Sequence, residues 1–377
     1  QVQAGNADGQ WTTNGPTVTV QTQSSGGGSR NTPSKPTYTA DVKVDGADNT
    51  LTITVNMDTS SAAVNVDTQQ GNTISGGGNV AITMPSIPGV SSYSLGIPGA
   101  CLTTPGGGSL TFKTDTGSIT IPADMLAGIS GAEGRNAAIT IGQGDKSGLP
   151  DSVKAAIGDR PLIQLSLTLE GKQTDWNNPD SPVTISISYT PTAAELANPE
   201  SIVIWYIDGS GNLVCIPNGH YDPATGTVTF SATHFSFYAV SYNPVSFNDV
   251  GSTDWYYKAV SFIAARGITT GTGSGTFSPD LVLTRADFLV MLMKAYGIAP
   301  DTNPADNFSD AGSTYYTGYL AAAKRLGISA GVGNNLYAPG KEITRQEMFT
   351  LLYNALKALN KLPAADSGKT LENFIDQ

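Results

Sequence analysis

Charge is scarce in this chain. Only 14% of its 377 residues are Asp, Glu, Lys or Arg, and the balance is acidic, with a net charge of −11. Residues 247–377 carry 11 Lys/Arg against 12 Asp/Glu, which leaves a net −10 in residues 1–246. Nucleic-acid binding needs clustered Lys and Arg, so that partner class is excluded. His220 and His234 are the only histidines, too few for a metal-ligand cluster, and neither metal nor cofactor is expected. Cys101 and Cys215 are the only cysteines. The two can pair, but residues so far apart make no disulfide framework, and their apolar, strand-like contexts read as buried thiols. No apolar run reaches the roughly 18 residues that a membrane span requires, so no membrane partner is expected. No basic-then-apolar leader opens the chain, and Gln1 is no translation start; the sequence reads as a mature or internal piece of something longer.

What is plentiful is glycine (43) and proline (22), among many Thr, Ser, Val and Ile. That mixture is β-rich, turn-rich and typical of extracellular material. Thr17–Val20 alternates like the last strand of a preceding β domain (1–22). Residues 23–37 are a Gly/Ser/Pro linker. Strand signals then dominate: Leu51–Val55, Leu110–Phe112, Ser118–Ile121, Leu162–Leu169, Val183–Tyr189 and Val203–Ile207. Asp208–Asn212 and Asp222–Gly226 are turn signals between hairpin strands, and short helices are expected at Asp151–Ile157 and Thr192–Leu196. The spacing predicts two β-sandwiches, 38–157 and 158–245.

At residue 247 the period changes from two towards 3.6, and an internal repeat begins. Phe247, Asp249, Gly267-Ile268, Gly271, Pro279 and Thr284-Arg285 recur as Phe308, Asp310, Gly327-Ile328, Gly331, Pro339 and Thr344-Arg345. The offset is 61 for the phenylalanines and 60 for the arginines, which marks two copies of one unit. Helices are expected at Trp255–Arg266, Arg285–Tyr296, Tyr315–Leu326 and Arg345–Leu359, with Asp254 as the first N-cap and Gly267 as the first stop. Repeat one is 246–306 and repeat two 307–373; Phe374-Ile375-Asp376 spells the opening of a third, truncated copy at 374–377. The expected fold is therefore multidomain, with all-β N-terminal sandwich domains followed by all-α helical repeats.

In Thr284-Arg285-Ala286-Asp287 and Thr344-Arg345-Gln346-Glu347, the Thr and the acid three positions later form a capping-box pattern. The arginine needs another explanation, because a helix N-terminus is already partially positive. Two explanations apply: an anionic ligand shared by the guanidinium and the helix end, or a structural ion pair, for instance with Asp249 or Asp310. The glycines at 271–275 and 331–333 turn the chain and lack the Lys-Ser or Lys-Thr of a phosphate loop. Trp255 and Tyr316 open the lead helix of each repeat as core residues or as sugar platforms.

The order Phe-x-Asp, Trp-Tyr-Tyr, Gly-Ile, Gly-x-Gly, Phe-x-Pro, Thr-Arg-Ala-Asp resembles the S-layer homology domain, over about residues 246–377. The resemblance implies non-covalent anchoring to a bacterial cell wall. Three repeats would pack as a pseudo-trimer, and their grooves would bind a secondary cell wall polymer or peptidoglycan-linked glycan, often ending in a pyruvylated sugar. It implies ligand-binding roles for Asp249, Trp255, Arg285, Asp310, Tyr316 and Arg345, and a secreted, surface-layer location. Thr-Arg-Ala-Asp and Thr-Arg-Gln-Glu each depart by one step from the family's Thr-Arg-Ala-Glu. On this reading the β domains are a spacer and the chain is no enzyme. The alternative is a structural subunit that self-assembles through the β domains into an S-layer or filament. A further alternative comes from His234-Phe235-Ser236. The segment around it resembles S-layer-homology-associated and, distantly, ZU5/UPA-like modules, some of which cut themselves between Phe and Ser. Ser236 would attack the Phe235 carbonyl while His234 moved protons; otherwise the triplet is a piece of strand.

Overall fold

The computed structural model describes residues 37–363. The expected preceding domain, nearly all of the linker and the onset of a third repeat lie outside these residues. Two compact units emerge among them: 37–142 with 167–174, and 143–166 with 175–363.

The fold expectation needs correcting. The protein is mainly β, with sixteen strands between Tyr38 and Tyr242. In the first unit eight of them follow one continuous hydrogen-bonded order, not two separate sheets: Asn136–Gln143, Ser92–Pro98, Ser61–Asn65, Ala47–Asn56, Tyr38–Val44, Asn79–Thr83, Ser109–Lys113, Ser118–Pro122. The ten-residue strand Ala47–Asn56 is the reason. Its first part pairs with Tyr38–Val44 and its last three residues pair with Ser61–Ala63. Alternation buries Val42, Val64, Ile82, Leu95, Phe112, Ile119 and Ile139 on one face of their strands. A helix at Thr68–Ser75, capped by Asp67, lies where only strands were expected.

In the second unit the hairpins follow their turn chemistry. Asp208 accepts from the amides of Ser210 and Asn212 and closes the turn between Ile202–Ile207 and Leu213–Ile216. Asp222 does the same before Thr227–Ala232. The short helices occupy Asp151–Ile157 and Ala193–Ala197. Thr192 and Glu195 close a capping box, and Glu195 also takes Arg160 at 2.7 Å and the Tyr189 hydroxyl at 2.8 Å. Burial pushes the Glu195 carboxyl up, but the Thr192 amide, the Tyr189 hydroxyl and Arg160 together outweigh burial and hold it below the usual range. A depressed carboxylate stabilises the fold above its unfolded pKa, and that stability is lost as pH falls through the folded value. Melting followed from pH 7 downward is therefore expected to show an acid limb that Glu195→Gln flattens.

The repeats are not an all-α block. Helices at Tyr257–Ala265, Arg285–Ala295, Thr317–Arg325 and Arg345–Ala358 are separated by glycine- and proline-bearing loops. Those loops carry β-bridges at Gly273↔Thr276, Gly333↔Leu336 and, between repeats, Thr284↔Glu342. Glycines and residues such as Ser278 and Ala338 take positive φ in these loops, which no helix accommodates. Gly267 stops the first helix at φ 66° as expected, but Asp254 accepts from the Gly251 amide and does not cap that helix.

Candidate functional site

The two repeats meet along the helix Arg285–Ala295. Its Leu289, Leu292 and Met293 enter the core of repeat two beside Phe308, Leu320, Tyr337 and Leu351. Its first turn is pinned by main-chain bonds, Arg285 N–H to Lys341 O at 2.9 Å and Ala286 N–H to Pro339 O at 3.1 Å. Donors that a helix start leaves unpaired are thus satisfied by the next repeat.

Arg285 follows its helix into this seam and is 4% exposed. Its guanidinium pairs with Glu347 at 2.6 Å, its Nε donates to Tyr337 O at 2.9 Å, and its plane lies 4.7 Å from the Tyr337 ring centroid. The Tyr337 hydroxyl donates back to Arg285 O at 3.0 Å. Of the two explanations for Arg285, a ligand or a structural ion pair, the structure shows an ion pair, with Glu347 as the partner instead of Asp249 or Asp310.

Asp249 and Asp310 are loop clamps. Asp249 accepts from the amides of Phe277 and Ser278 at 2.8 and 2.7 Å, and Asp310 accepts from Tyr337 and Ala338 at the same distances. The Phe277 amide is the leading reason the Asp249 carboxyl sits below its usual range. The acid of each Phe-x-Asp thereby fixes the positive-φ residue that follows.

Arg345 stands at the same place as Arg285 in the second copy, after Thr344, whose capping box with Glu347 is closed in both directions. Unlike Arg285 it is exposed, and its guanidinium has no ion pair or hydrogen bond among the described residues. Lys341, also largely exposed, lies 3.6 Å from Glu347 Oε1, the carboxylate oxygen that Arg285 engages.

The aromatics align differently from the sequence expectation. Trp255 is 94% exposed and its structural counterpart is Tyr315, 64% exposed. Each stands edge-on to the tyrosine after it. Tyr256 and Tyr316 are the pair that packs on its own repeat's core. The Tyr315 hydroxyl reaches across the seam to Asp287, a role that sequence reasoning missed.

His234, Phe235 and Ser236 lie apart from the repeats. Ser236 Oγ donates to Ile207 O at 2.9 Å, while His234 Nε2 is buried without a hydrogen-bond partner among the described residues and its imidazole is held below its ordinary pKa by burial. The hydroxyl thus bonds to main chain and not to the imidazole, which stands edge-on to Tyr206, and Phe235 packs on Trp176. The thiols of Cys101 and Cys215 are free, and burial pushes that of Cys215 up to about 11. Among the described residues no His/Cys/Asp/Glu cluster could hold a metal ion. No helix among them is long and apolar enough to cross a membrane.

The profile of the S-layer homology domain matches residues 246–289 and 307–349. The chain carries two S-layer homology domains. An amylopullulanase of Thermoanaerobacterium thermosulfurigenes is 30% identical over 49% of this chain and 10% of its own length. An S-layer protein of Bacillus thuringiensis subsp. finitimus is 28% identical over 40% of this chain and 18% of its own. The S-layer protein sap of Bacillus anthracis is 26% identical over 40% and 19%. The chain thus spans a tenth to a fifth of the length of these relatives. The two S-layer homology domains and these S-layer relatives associate the chain with the cell surface.

Proposed function

We propose that the repeats attach this chain non-covalently to an anionic, pyruvylated secondary cell wall polymer, with the β units as a non-catalytic spacer. The observation that carries this reading is Arg345: an exposed guanidinium without an ion pair or hydrogen bond among the described residues, at the N-terminus of the helix Arg345–Ala358. A ketal-linked pyruvate is a fixed carboxylate, which the guanidinium fork grips with two bonds. Tyr315 and Trp255 offer exposed aromatic faces on which a sugar ring stacks. Arg285 contributes by holding the repeats together.

A charge-assisted bond of about 1.5–3 kcal/mol makes the expected result definite. Arg345→Ala weakens binding to purified walls by about tenfold or more and leaves thermal stability unchanged, and walls stripped of the polymer bind neither form. Undiminished binding by Arg345→Ala would remove the arginine from the site. The relatives named S-layer proteins favour a second reading, in which the β units assemble into a surface lattice and the repeats are its foot. Ordered arrays of the chain alone under the electron microscope would support it.

A further inference from the structure

We propose that Arg266 pins the first repeat to the β part of its own unit, so that the two form one cooperative body joined by a rigid seam instead of a hinge. Arg266 is the residue at which the helix Tyr257–Ala265 ends. It is 5% exposed and has no ion pair with a carboxylate among the described residues. All five of its N–H groups are directed at main-chain carbonyls. Nε and one Nη donate to Gly219 O, the same Nη donates to Ile202 O at 3.2 Å, and the other Nη donates to Glu200 O at 2.8 Å and Phe262 O at 2.9 Å. The plane lies 3.4 Å from the Phe262 ring centroid. Three of those four carbonyls belong to the turn Pro199–Ser201, the strand after it and the Gly219 turn.

The surrounding bonds run the same way. Asn243 Nδ2 donates to Ala265 O at 2.7 Å, and the Asn243 amide donates to Ser201 O at 2.9 Å. The residue between the strands and the repeat is thus tied to both. A cation at a helix C-terminus also meets the negative end of the helix dipole. Burial lowers the Arg266 guanidinium to about 10, so it stays charged near neutrality. Without it, converging carbonyls of both parts lose their donors in a site that water does not reach, which costs more than the bonds themselves contribute.

Comparison of the two copies shows that this is a junction device and not part of the repeat. The corresponding helix of repeat two, Thr317–Arg325, ends at Leu326, an apolar residue in the place of Arg266. The repeat tolerates a leucine there, and only the copy that adjoins strands carries the arginine.

The test is hydrogen exchange by mass spectrometry on the full chain, comparing the parent with Arg266→Leu, the residue of the second copy. Exchange is expected to accelerate together, about tenfold or more, in 199–220 and in 243–268, while 320–325 stays protected. Proteolysis between Asn243 and Ser246 should begin while circular dichroism shows both parts folded. Acceleration confined to 257–268, or none, would overturn the proposal, because the arginine would then serve its own helix alone. Should Arg266→Leu fail to fold, Arg266→Lys and Asn243→Ala remove fewer bonds. The same paired acceleration, smaller in size, is expected of them, and an unpaired response counts against the proposal equally.

Discussion

Arg285→Met is expected to loosen the two repeats from each other and to lower stability by about 3–5 kcal/mol, the usual cost of removing one partner from a buried ion pair. The side chains of Arg285 and Glu347 are 5% and 23% exposed, and they meet at 2.6 Å. Methionine fills much of the volume but leaves Glu347 without its close, buried cation, with only the more exposed Lys341 at 3.6 Å. It also strips the Tyr337 carbonyl of its donor and the ring of its cation. Loss of a desolvated cation–π contact adds up to about 2 kcal/mol. Urea unfolding followed by tyrosine fluorescence measures the change. Glu347→Gln should cost less when added to Arg285→Met than when made alone, because the two substitutions remove one shared interaction. The control is internal to the molecule. Arg345→Met, at the equivalent position of repeat two, touches no described partner and should stay within about 0.5 kcal/mol of the parent. Equal costs for the two arginines would contradict the asymmetry between a locked and a free copy.

That asymmetry marks how far the sequence could be read. Features written in neighbouring residues were legible. The Asp208 and Asp222 turns lie where their Asp-Gly and Asp-Pro signals put them. Asp151–Ile157 forms the short helix foreseen for it, and Thr344–Glu347 closes its cap. The helix-dipole argument asked for a reason outside the helix for Arg285 and left a ligand and an ion pair open. The reason itself was hidden, because Glu347 belongs to the next repeat and only packing brings the two together. The aromatic pairing slipped by one for a countable cause. The phenylalanines are 61 apart and the Gly-Ile pairs 60, so the extra residue falls before the lead helix and Tyr315, not Tyr316, matches Trp255. Arg266 left one usable trace, its replacement by Leu326 in the second copy. The all-α expectation for the repeats failed because helical periodicity describes the helices and says nothing of bridged loops between them. The sandwich expectation failed because a ladder's continuity depends on which strand spans two partners, as Ala47–Asn56 does.

Gly331→Ala is expected to be the second costly change, at about 3 kcal/mol or more, since it combines left-handed strain of roughly 1–2 kcal/mol with overpacking of roughly 1–3 kcal/mol. Gly331 has φ 78°, and a Cβ there would lie 2.2 Å from Leu336 O and 2.8 Å from Phe308 Cε1. The carbonyl cannot retreat, because it accepts the Val332 amide at 2.7 Å within the bridged hairpin. The phenyl ring cannot retreat either, because it is 4% exposed and packs against Tyr337. Gly271 repeats the arrangement with Thr276 O at 2.2 Å and Phe247 Cε1 at 2.6 Å. This recurrence explains why Phe and Gly keep their places in both copies: one is the lid on the other. Gly333 separates the two contributions, since its φ is 101° but a Cβ there meets nothing within 4 Å. Gly333→Ala should therefore cost only the backbone share, and a cost equal to that of Gly331→Ala would show that packing adds nothing. Because Tyr337 is the floor on which Arg285 lies, displacement of Phe308 is expected to reach the seam. Gly331→Ala and Arg285→Met together should then fall short of the sum of their separate costs, whereas Gly271→Ala, in the other repeat, should add to Arg285→Met in full.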